Sequence, residues 1–110
     1  MYKVWLIRLI GHDGVPGSCK FYAKERSLPL APFVGLGVSV DRNSDPTSIE
    51  SVTVNEQGAI VCWLEDQVYS SDGNICTVAE WPEQLEWHVA GWTCVPSADV
   101  LSTPEYSENK

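Results

Sequence analysis

The segment Val4-Trp5-Leu6-Ile7-Arg8-Leu9-Ile10 constrains the fold more than any other part of this chain. Arg8 is its one polar residue, and the apolar residues do not alternate with polar ones. A half-solvated strand alternates, so this run predicts a strand over residues 2–10 covered on both faces, with a central place in a sheet. It does not read as an export signal, because Arg8 interrupts it and no small-residue cleavage site closes it. It is also too short to cross a bilayer, and no other stretch comes near the required length. The expected setting is therefore cytoplasmic, without a membrane partner.

Turn chemistry divides the rest of the chain. Gly11 to Gly17 holds three glycines and a proline and reads as a loop. Cys19 to Lys24 suits a short strand, with a short helix over 22–28 as the alternative. Pro29 and Pro32 remove backbone donors and exclude regular structure across Leu28–Phe33. Val34 to Val40 regains alternation, and Asp41 to Thr47 is a polar turn. Ile49–Val54 and Ala59–Val68 form a hairpin in which Gly58 supplies a positive φ. Paired symmetrically, that hairpin sets Val52 opposite Val61 and Val54 opposite Ala59. A turn over Ser70–Asn74 leads to a third strand at Ile75–Ala79, completing a meander. Pro82 to Gly91 fits a short helix with proline in its first turn, although Glu86–Val89 also suits a strand. Trp92–Val95 is expected as a last short strand.

With 110 residues and 44% hydrophobic content, one core is the expectation. The fold class that follows is α+β: a small domain over residues 1–95, with a mainly antiparallel sheet and one or two short helices. An all-β barrel or sandwich is the alternative. Residues 96–110 read as a polar, flexible tail.

Charge separates along the chain. Residues 1–26 carry Lys3, Arg8, Lys20, Lys24 and Arg26 against Asp13 and Glu25, a balance of +3. The remainder carries Arg42 and Lys110 against thirteen acids, a balance of −11. Most of the surface should repel phosphate backbones, which argues against direct nucleic-acid binding, and should attract basic partners.

Motifs for chemistry are sparse. Cys19, Cys62, Cys76 and Cys94 form no CxxC pair, so no metal is expected. Without an export signal the cysteines read mainly as free thiols. Cys19 follows a loop with His12 and Asp13 and is the best candidate nucleophile, with His12 or His88 as its base. Gly11-His12-Asp13-Gly14 lacks the lysine and hydroxyl of a phosphate loop, and Gly35-Leu36-Gly37 is only part of a dinucleotide fingerprint. No cofactor is expected.

Trp63, Trp81, Trp87 and Trp92 crowd into thirty residues beside several acids. Tryptophan is common at binding hot spots, and a small core encloses few of them comfortably. The reading that follows is a non-enzymatic interaction protein, an acidic inhibitor or adaptor that engages a basic protein. Its surface would combine Trp81, Glu83, Glu86 and Trp87 with Glu65 and Asp66 from the meander. A nucleic-acid mimic that blocks a DNA- or RNA-binding protein is one alternative. A small cysteine-dependent enzyme or metal protein is another.

Overall fold

A computed structural model describes residues 1–40, 46–70 and 77–101. Its elements in chain order are β1 (Tyr2–His12), β2 (Lys20–Leu28), β3 (Gly37–Val38), β4 (Thr47–Val54), β5 (Ile60–Leu64), β6 (Gln67–Tyr69), α1 (Trp81–His88) and β7 (Thr93–Val95), followed by a 3-10 turn at Ala98–Val100. Ile75 and Cys76 of the expected strand Ile75–Ala79, positions 41–45 and 71–74 of the two expected turns, and residues 102–110 lie outside the described residues.

Strand β1 is the centre of the sheet, as its apolar run requires. On one side β2 pairs with it antiparallel, from Tyr2 opposite Leu28 to Ile10 opposite Lys20. On the other side β5 and β6 lie end to end, both parallel to β1. The path runs β3-β4-β5-β1-β2-β7, a mixed sheet curled into a half-barrel. The domain is therefore α+β, dominated by its sheet, with one helix.

Both faces of β1 are buried. Trp5 and Ile7 meet Ala23, Ala59, Val61, Val95 and Leu101. On the opposite face Val4 and Leu6 join one cluster with Leu28, Val38, Val40, Ile49, Cys62 and Leu64. Farther along that same face, Ile10 joins a second cluster with Tyr22 and Trp81. Each fully enclosed aliphatic side chain stabilises the fold by about 1.5–3 kcal/mol. Burial of Leu101 carries the packed body past Val95: Ser97 Oγ accepts from Asp99 N, and Asn55 Nδ2 donates to the Ala98 carbonyl.

Several expectations change. The strand after the first loop is real and runs on through Leu28, so no helix forms over 22–28. Of Val34–Val40, Gly37 and Val38 form ladder pairs with β4, while Gly35 turns with φ +97°, its N–H donating to the Ile49 carbonyl and the Leu36 carbonyl accepting from Ile49 N. The hairpin forms with Gly58 at φ +83°, but its register is shifted. Val52 faces Cys62, Thr53 faces Val61 and Val54 faces Ile60. Asn55 causes the shift: its backbone N–H meets the Ala59 carbonyl, and its Oδ1 accepts from Gln57 N and Ala59 N. Three residues thus remain in the loop, and the pairs out to Ser51–Trp63 move by one, until an irregularity between Ile49 and Ser51 sets Ile49 opposite Leu64.

The second arm of the hairpin also breaks at Glu65–Asp66. Beyond the break β6 continues alongside β1, one residue out of step with β5. Thr77–Glu80 is a turn into α1, not a strand. Thr77 N donates to Glu80 Oε2 while Glu80 N donates to Thr77 Oγ1, the reciprocal pattern of a capping box. Leu85 and Val89 then face the Ile10 cluster.

Candidate binding site

Arg8 stands on the face of β1 between its two clusters, after Leu6 and before Ile10. It is only 8% exposed. Where β5 breaks, the Glu65 carbonyl accepts from both Arg8 Nε (3.2 Å) and Arg8 Nη2 (3.0 Å). Among the described residues no carboxylate lies within ion-pair distance of this guanidinium. Burial pulls its pKa below the ordinary value, while Tyr69, Glu65 and Asp66 act in the opposite sense.

A cleft of about 190 Å³ opens above it, lined by Arg8, Val40, Thr47, Gln67, Trp87, His88 and Trp92. The walls come from the strand after the break (Gln67), the end of α1 (Trp87, His88), the turn beyond it (Trp92), the start of β4 (Thr47) and Val40 after β3. Gln67 Nε2 donates to the Tyr69 hydroxyl (2.8 Å), and that hydroxyl also bonds His88 Nε2. Lys24 reinforces the rim. Its ammonium lies 5.4 Å from the centre of the Trp92 ring and donates to the Val40 carbonyl.

Aromatic rings tie α1 to the sheet. His12 meets Trp81 at 5.6 Å, Trp81 meets Tyr69 at 5.7 Å, Tyr69 meets His88 at 5.0 Å, and His88 meets Trp87 at 4.6 Å. The series runs from a buried end to an exposed one. Trp81 is 4% exposed and Trp87 is 61% exposed. Trp81 therefore belongs to the packing beneath the helix and not to its outer surface. Glu83, Glu86 and Trp87 share that outer surface at helical spacing, and Glu83, Gln84 and Trp87 border a shallow depression. Glu65 and Asp66 are exposed at the strand break, directly before Gln67 of the cleft.

No family model matches this chain. No curated protein and no solved structure matches it either. What the site can do rests on its own chemistry.

The cysteine-centred alternative has little geometric support. Cys19 lines an open groove with Lys20, Phe21, Cys94, Val95 and Pro96, and neither histidine borders it. His12 is enclosed, and its Nδ1 accepts the Gly14 N–H at 2.9 Å. Asp13 Oδ1 lies 3.8 Å from the same nitrogen, which is no ion pair while that acceptor role stands. His88 is engaged with Tyr69. No group of three metal-ligating side chains gathers among the described residues, and no helix there is long and apolar enough to cross a membrane.

The thiols differ in accessibility. Cys19 and Cys94 are exposed, whereas Cys62 is enclosed and burial pushes its thiol pKa up. In a Cys76→Ser background, two thiols should react with a neutral-pH disulfide reagent in the folded protein, and the third only after denaturant is added. Three equal rates without denaturant would contradict this packing.

The cleft is what sequence reasoning missed. Its signal was the one cation within the apolar run Val4–Ile10: a buried charge must meet a polar partner, and here that partner marks a break in the neighbouring strand.

Proposed function

We propose that this chain is a non-enzymatic binding protein that engages a basic protein surface, an acidic inhibitor or adaptor. The observation that carries the reading is the 61% exposure of Trp87 on the same helix surface as Glu83 and Glu86. An exposed indole costs solubility and contributes little to the fold. Bordered by carboxylates, it has the composition of an interface anchor with a charged rim. Glu65 and Asp66 extend the negative rim at the strand break. The excess of acids over the last three-quarters of the chain steers cationic partners toward it. Trp81 has no part in this surface; it holds the helix in place.

The test is capture of basic proteins from a native extract on the immobilised full chain, followed by titration of the purified partner. Trp87→Ala should weaken binding by about 30-fold or more, the usual size for a hot-spot residue, with an unchanged circular dichroism spectrum. Glu83→Gln with Glu86→Gln should slow association and flatten its salt dependence. Binding that survives Trp87→Ala and ignores salt would remove the basis for this reading.

A further inference from the structure

Arg8 has five N–H groups, and two are committed to the Glu65 carbonyl. Those two, on Nε and Nη2, belong to the side edge of the guanidinium. The other edge, formed by Nη1 and the second hydrogen of Nη2, has no acceptor among the described residues. Two parallel N–H groups on one edge match the two oxygens of a carboxylate.

The surroundings narrow the choice further. Trp87 and Trp92 supply ring-sized apolar walls, while Thr47, Gln67 and His88 supply polar atoms at the margin. A dry cavity of about 150 Å³ is known to admit benzene, so a cleft of about 190 Å³ holds one ring with a small substituent. Glu65 and Asp66 stand near enough to act on the Arg8 charge, which disfavours an anion carrying more than one negative charge. The net charge of −8 acts in the same direction.

We propose that the cleft above Arg8 is a binding site for a monocarboxylate bearing one planar ring, its carboxylate on the free guanidinium edge and its ring between Trp87 and Trp92. This site shares Trp87 with the outer helix surface, but neither Glu83 nor Glu86 lines it, and it does not depend on the existence of a basic partner. The ring-bearing carboxylate has two sources, a free small acid or the terminal residue of a peptide.

The test is a titration of the ¹⁵N-labelled full chain, followed by amide and indole N–H resonances. Three probes are used: sodium benzoate for the free acid, N-acetyl-phenylalanine for a chain terminus, and benzamide as the uncharged counterpart. Saturable shifts at Trp87, Trp92, Gln67 and Thr47 with benzoate or N-acetyl-phenylalanine are expected, and the tighter probe assigns the source. Benzamide should bind about tenfold more weakly or worse, the loss expected for a charge-assisted pair. Arg8→Met should abolish the saturable shifts while keeping the side-chain volume. Should that variant fail to fold, the benzoate–benzamide comparison in the native chain still decides. Equal binding of benzamide, unsaturable shifts with both acids, or shifts centred on Trp5 or Trp63 would overturn the proposal. Slowed basic-partner association in Glu83→Gln with Glu86→Gln, with acid binding unaffected in the same variant, separates the two surfaces although Trp87 serves both.

Discussion

Trp81→Ala should lower the unfolding free energy by about 3–5 kcal/mol, the range for truncating a buried aromatic side chain. The indole is 4% exposed and lies against Ile10 and Tyr22, with Leu85, Val89 and Trp92 around them. It also forms the middle of the ring series that joins His12 to Tyr69. Truncation would leave a cavity beneath the first turn of α1 and remove the main contact between that helix and the end of β1. A domain of this size has about 5–15 kcal/mol in total, so the loss consumes much of it. Urea denaturation followed by far-ultraviolet circular dichroism measures the effect. Trp81→Phe should recover most of the loss. Trp87→Ala, at the exposed end of the same series, should stay within about 0.5 kcal/mol of the native chain. Equal stability losses at the two positions would contradict the division of labour between the two tryptophans.

Gly11→Ala should be nearly as damaging, at about 3 kcal/mol, the upper end for overpacking a well-filled site. A methyl group at this position would come within 2.6 Å of Cys19 Cα and 2.3 Å of Cys19 Sγ. The sulfur can rotate away, but the Cα belongs to the backbone and cannot. That backbone is fixed nearby, because Ser18 Oγ accepts from His12 N and donates to the His12 carbonyl. A methyl group would therefore push apart the start of β2 and the end of β1. The double variant Gly11→Ala with Cys19→Gly removes the sulfur and Cβ clashes but not the Cα clash. It should recover only part of the stability, a coupling readable from a double-mutant cycle. Full recovery would place the strain in the side chain alone.

Local features of the sequence were readable where one residue type dictates one conformation. The unalternating run in β1 announced burial on both faces, Gly58 marked its turn, and Pro82 marked the helix start. The hairpin register was missed because it hangs on one side chain: Asn55 closes an odd-numbered loop, and its hydrogen bonds are not encoded in apolar alternation. Thr77 and Glu80 did carry a readable signal, the T-x-x-E spacing, which was obscured by the strand-like Thr77-Val78. Trp81, Leu85 and Val89 are spaced by four, a stripe that places the first indole with the core, whereas Trp87 falls outside it. The side-by-side parallel run of β1 with β5 and β6 had no local signal at all, since nothing in either segment names a partner more than fifty residues away. The cleft depended on that pairing. Without it, Arg8 was an interruption in a strand and not the floor of a site.

The parallel neighbours of β1 have a consequence for synthesis. On a nascent chain β1 is made first and can fold back against β2 at once. Its opposite edge has no neighbour until residues 60–69 emerge, 57 residues after His12. At about 5–20 residues per second, that wait is on the order of 3–11 s. For that interval the most apolar segment of the protein offers an open strand edge to any other unfinished chain. The strand that ends up best protected is thus the one left longest without shelter.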